Sequence, residues 1–137
     1  MPPRTLVTGP SGSGKSRWAE TLACRSEAKV VYIATGPGHL DDDQWQERLL
    51  RHRQRRPVEW HTWEVEGELS PAIARLQSQQ LGLVDSLGTW VAAHLECESL
   101  RWDGVQEALL AAVRQCPAEL MLVCEEVSWG VVPATEL

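Results

Sequence analysis

Residues Gly9-Pro10-Ser11-Gly12-Ser13-Gly14-Lys15-Ser16 satisfy the pattern G-x-x-x-x-G-K-[ST] at every fixed position. The pattern constrains the fold more than any other feature here, because it works only where a strand runs into a loop and the loop opens a helix. Both flanks are present. Thr5–Gly9 (TLVTG) is a short β-branched run ending in glycine, and Ser16–Ser26 places Trp18, Ala19, Leu22 and Ala23 on one helical face. Glycines let the loop curl until successive N–H groups converge on phosphate oxygens, and the helix directs its positive end at the same anion. Lys15 is then expected at the β- and γ-phosphates, with the Ser16 hydroxyl helping to hold Mg²⁺. Nucleotide binding through Gly9–Ser16 is the expectation.

The remaining pattern extends the same architecture. Lys29–Thr35 (KVVYIAT) is almost continuously apolar, as expected of a parallel strand covered on both faces, and Pro37 and Gly38 end it. Asp41–Asp43 are candidate caps for a helix running to about Arg53, with Trp45, Leu49 and His52 on one face. Val58–Val65 alternates like a half-exposed strand, Ser70–Gln80 reads as helix, and Leu81–Asp85 reads as a buried strand ending in a carboxylate. Trp90–Glu96 and Val105–Cys116 read as helices and Glu119–Glu126 as a core strand. Strands alternating with helices predict an α/β fold with a mainly parallel sheet, in a single domain spanning residues 1–137.

Bulk properties narrow the partners. A net charge of −6 argues against a dedicated nucleic-acid or anionic-membrane binder. No apolar run reaches membrane-spanning length, and Met1 leads into a strand-like stretch without a signal-peptide core, so a cytoplasmic protein is expected. Cys24, Cys97, Cys116 and Cys124 are scattered without metal-site or disulfide spacing, which predicts reduced thiols.

Two further features carry chemistry. Asp85 suits the acidic position that orients the metal ion or its water shell in P-loop proteins, and it suits an ordinary strand-end or cap role equally well. Residues 51–56, Arg-His-Arg-Gln-Arg-Arg, hold four of the chain's thirteen Lys and Arg residues in an acidic protein. Such a cluster fits a solvated helix C-terminus. Facing a bound nucleotide, it also fits a triphosphate clamp in which His52 attacks the α-phosphate. The surrounding positive charge would keep that imidazole neutral and nucleophilic. His39, His61 and His94 read as structural or solvent-facing, and the seven tryptophans mainly as core and interface material.

Together these segments resemble the bifunctional adenosylcobinamide kinase/adenosylcobinamide-phosphate guanylyltransferase family. The resemblance runs through Thr8–Ser16, Tyr32-Ile33-Ala34-Thr35, Asp42-Asp43 with Arg48 and His52-Arg53, and Arg56-Pro57. It continues through Trp60-His61-Thr62-Trp63-Glu64, Asp85-Ser86-Leu87 with Trp90-Val91, and Glu126 to Pro133. It implies a RecA-like P-loop fold and two reactions: ATP or GTP phosphorylates the aminopropanol hydroxyl of adenosylcobinamide, then GTP donates GMP to that phosphate. It implies His52 as the residue that becomes guanylylated. Thr35, Gly36, Pro37, Arg53, Gln54, Arg55, Arg56, Glu64 and Asp85 fall on segments that contact the guanine nucleotide. A homotrimer with sites near subunit boundaries is implied as well.

This sequence departs from the family pattern at Glu125, where an Asn is usual, and at Ser128, where a Gly is usual. The family continues for several tens of residues beyond the V-V-P segment, so this chain, ending at Leu137, is expected to be C-terminally short relative to it. Two other readings share the P-loop: a generic small-molecule kinase in which His52 is a surface residue, and a nucleotide-binding module without phosphate transfer.

Overall fold

The computed structural model describes residues 1–36 and 43–126, with the side chain of His52 excepted. Elements follow in the order β1 (Arg4–Gly9), α1 (Lys15–Cys24), β2 (Lys29–Ala34), α2 (Asp43–Arg55), β3 (His61–Glu64) and α3 (Leu69–Ala74). Then come β4 (Gln80–Asp85), α4 (Leu87–Ala92), α5 (Ser99–Gln115) and β5 (Glu119–Glu125). The strands form one sheet in the order β1-β5-β4-β2-β3, and every pairing is parallel. Parallel neighbours need crossovers, and the helices supply them.

The period-2 alternation of strands divides the core into two layers. Val30 and Tyr32 of β2, Leu81 and Leu83 of β4, and Met121 and Val123 of β5 face α1, packing against Ala19 and Ala23. Val31, Ile33, Val84 and Leu120 point the other way, onto Leu69, Ala72 and Ile73 of α3 and onto the partly buried Val105, Leu109 and Val113 of α5. With both faces covered, β2 reads as an unbroken apolar run, and four of its six residues are buried.

Tertiary demands move several element boundaries away from the sequence pattern. The β3 strand is confined to His61–Glu64, where β2 offers partners from Val31 to Ala34, while residues 57–60 form a turn closed by Trp60 N–H donating to Pro57 O at 3.2 Å. Instead of reaching Gln80, α3 stops at Ala74, because the Gln77–Gln80 turn is needed to start β4 in register with Lys29 of β2. Ser86 caps α4 in a capping box with Thr89, which starts that helix at Leu87, ahead of Trp90. In α5 the first turn begins at Ser99, where Trp102 packs against the buried Trp90 with ring centroids 5.2 Å apart. The far end of α5 is held by a long-range contact: the Arg4 guanidinium donates to Val113 O (2.8 Å), Cys116 O (2.6 Å) and Ala118 O (2.7 Å). These include carbonyls that a helix C-terminus leaves without partners.

Candidate nucleotide-binding site

The parallel register brings the C-terminal tips of the strands level. Gly9 lies beside Glu125, Ala34 lies between Asp85 and Glu64, and Asp85 lies beside Val123. Open α/β sheets bind ligands at this edge, and a cavity lies here.

One wall of the cavity is the P-loop. Gly12 and Gly14 have φ of 77° and 88°, left-handed conformations that favour glycine. Gly14 is the N-cap of α1 and no side chain caps that helix, so its first-turn N–H groups stay available to an anion. Ser11, Lys15 and Ser16 line the cavity, and Lys15 Nζ folds back to donate to Pro10 O at 3.4 Å, a long contact that a phosphate would replace.

The floor is Asp85. Its Oδ1 accepts from Ser16 Oγ at 3.3 Å and its Oδ2 from the Tyr32 hydroxyl at 2.6 Å. Burial, then the Asp85 charge and the hydrogen bond to it, push the Tyr32 phenol far above its ordinary value, so Tyr32 stays protonated and donates to Asp85. Ser16 and the strand-end acid, each read separately from the sequence as a metal-side candidate, are in direct contact. Thr35 is placed behind the cavity wall: its Oγ1 donates to Ser86 O at 2.6 Å and accepts from Ser86 N–H at 2.9 Å, bracing the Asp85-Ser86 turn.

The opposite wall is basic. Arg48 and Arg53 of α2 and Arg56 just beyond it line the cavity with Trp45, Leu49, Gly36 and Glu64. Arg53 Nη2 pairs with Glu64 Oε1 at 2.6 Å, and the Arg56 guanidinium lies 3.9 Å from the centroid of the Tyr32 ring. Arg55 turns aside to Glu20 of α1 at 3.3 Å, and Gln54 is exposed outside the cavity lining. His52 lies in α2 between the lining residues Leu49 and Arg53. Pro37, Asp41, Asp42, His39 and the Val127–Pro133 segment fall outside the described residues.

Several lining residues escaped the sequence reading as site residues: Tyr32, Trp45, Arg48, Ser86, Thr89 and Glu125. The Ser86-x-x-Thr89 capping signature was a usable signal for two of them. Glu125 Oε1 accepts from Ser86 Oγ at 2.7 Å, while its Oε2 is buried against Gly88. Among the described residues, no group of three or more His, Cys, Asp or Glu forms a metal cage, and no helix is long and apolar enough to cross a membrane.

Comparison with known proteins agrees with this geometry. The family described as cobinamide kinase / cobinamide phosphate guanyltransferase matches residues 5–137. The chain is 39% identical over 136 residues to the bifunctional adenosylcobalamin biosynthesis protein CobP of Pseudomonas aeruginosa, covering 98% of this chain and 78% of that protein. It is 36% identical to the bifunctional adenosylcobalamin biosynthesis protein CobU of Escherichia coli, covering 96% of this chain and 80% of that one. Among solved structures, the RadB recombinase superposes with a TM-score of 0.55 at 19% identity, over 93% of this chain and 64% of the recombinase. That likeness establishes the RecA-like P-loop architecture.

Proposed function

The chain belongs to the cobinamide kinase / cobinamide phosphate guanyltransferase family, and we propose that it performs both transfers on adenosylcobinamide, with ATP or GTP as phosphoryl donor and GTP as GMP donor. One observation carries the reading: the P-loop and the arginine-bearing end of α2 wall the same cavity. A triphosphate seated on Gly9–Ser16 then meets cations at both ends.

In the kinase step, the P-loop N–H groups and Lys15 hold the β- and γ-phosphates while the acceptor hydroxyl attacks the γ-phosphorus and gives up its proton to solvent, and the bond to the β-phosphate oxygen breaks, releasing the nucleoside diphosphate. Ser16 and Asp85, already in contact, fit a hard cation that takes oxygen ligands. Mg²⁺ would supply charge neutralisation of the triphosphate there. In the guanylyl step, a ring nitrogen of His52 attacks the α-phosphorus and pyrophosphate leaves. The substrate phosphate then displaces the imidazole, giving adenosylcobinamide-GDP. Arg48, Arg53 and Arg56 stabilise the charge developing on the phosphoryl oxygens.

A cytoplasmic setting is part of the proposal, and the four free cysteines fit a reducing compartment. So is a homotrimer, for which the exposed Leu95 and Leu100 offer apolar surface.

The test is incubation with GTP labelled at the α-phosphate, beside His52→Asn, followed by denaturing electrophoresis. The expected result is covalent label that is lost in acid, survives alkali and is absent from the variant. Label retained on the variant would overturn His52 as the carrier. A folded, nucleotide-binding wild type without label would leave a kinase or a binding module.

A further inference from the structure

Asp85 and Arg56 carry opposite charges on two sides of one cavity, and a single side chain touches both. Tyr32 enters from the middle of β2 and is only 4% exposed. Its hydroxyl donates to Asp85 Oδ2 at 2.6 Å, and its ring face carries the Arg56 guanidinium 3.9 Å from the centroid. The other Asp85 oxygen accepts from Ser16. Ser16, Asp85, Tyr32 and Arg56 thus form a continuous chain from the P-loop to the basic wall.

The order of this chain matters physically. A carboxylate and a guanidinium in one cavity can form a bidentate pair that neutralises both. Asp85 would then be lost to a cation and the Arg56 fork to a phosphate. A neutral phenol between them satisfies the carboxylate with an O–H donor and seats the guanidinium on a π-face, where its N–H groups at the ring perimeter stay available. We propose that Tyr32 is a positioning residue that holds Asp85 and Arg56 apart and aimed, so that one cavity presents a carboxylate to a cation and a guanidinium to a phosphate simultaneously. Tyr32 touches neither reacting atom and acts through its two neighbours. The inference rests on the nucleotide-site reading above and assigns a residue that the motif does not include.

The phenol has two separable parts, which gives the test. Fluorescent GTP is titrated into the full chain without Mg²⁺, and Mg²⁺ is then titrated into the complex, for wild type, Tyr32→Phe and Tyr32→Leu. Phe keeps the ring and loses the hydroxyl. The expected result is Mg²⁺-free nucleotide affinity within about twofold of wild type, with the Mg²⁺ concentration for half-saturation raised roughly 10-fold or more, the scale of lost outer-shell partners. Leu loses both parts, so its Mg²⁺-free affinity for the triphosphate also falls. Melting curves establish that each variant is folded. If Leu fails to fold, Arg56→Lys, which loses the flat stack, takes its place with the same expected loss. Wild-type Mg²⁺ dependence in Tyr32→Phe would overturn the inference and leave the nucleotide site intact. No nucleotide binding by the wild type would overturn both.

Discussion

Glu20 on α1 is a carboxylate buried to 7% exposure, and Arg55 of the α2 end reaches it at 3.3 Å. Burial raises its pKa above the usual carboxylate value, and the Arg55 charge opposes that rise without cancelling it. The sign of the pH effect follows. Between the unfolded value near 4.5 and the raised folded value, the native state keeps a proton that the unfolded chain releases, so stability falls as pH rises through that window. Glu20→Gln has no proton to keep. The difference in unfolding free energy between wild type and Glu20→Gln should therefore shift towards the variant as pH rises from about 4.5 to 7, read from urea midpoints at each pH. A flat difference would show that Arg55 fully offsets the burial.

The Arg4 contacts belong to the scale of elements, since one residue at the start of β1 closes the end of α5. Arg4→Ala removes a charged donor from several carbonyls at once and should cost about 2 kcal/mol, the range for hydrogen bonds involving a charged group. Hydrogen exchange should show the loss as fraying of the last turn of α5, with the P-loop unaffected. Nothing in the neighbourhood of Arg4 in the sequence announces this, because its partners lie more than 100 positions away. The same reason separates what was legible from what was not. The P-loop is a local motif whose strand, loop and helix are contiguous, and Asp85 stands at the end of an apolar run; both were readable and both line the cavity. Tyr32 sits inside another apolar run, where an aromatic residue reads as core, and its role appears only once β4 and the α2 end are packed beside it. Thr35 showed the converse: a motif position expected at the ligand is buried as a brace for Ser86. Helix ends depart from the sequence pattern where a strand needs the residues, as at Gln77–Gln80.

At the scale of the molecule, the proposed ligand bridges elements that otherwise meet little. A nucleotide held by the P-loop and by Arg53 and Arg56 ties β1 and α1 to α2 and β3, on opposite sides of the sheet order. Binding to the native state alone stabilises by mass action, about 2.7 kcal/mol at a ligand concentration 100 times Kd. Mg²⁺ with GTP should therefore raise the melting temperature, and Lys15→Ala should abolish most of that rise while melting close to wild type without ligand. An unchanged ligand-induced shift in Lys15→Ala would place the nucleotide elsewhere.

The level strand tips also govern where the chain tolerates a change of length. Glu125, Asp85, Ala34 and Glu64 reach the cavity together only because each strand contributes a set number of residues above its neighbour. One residue inserted within β4 would turn Asp85 to the opposite face and exchange the two core layers along that strand. The connection at the other end of the sheet that leads into β2, Arg25–Ala28, lies below this alignment, and an added residue there is absorbed before the register begins. Insertions should accordingly be accommodated at one end of the sheet and be ruinous within its strands.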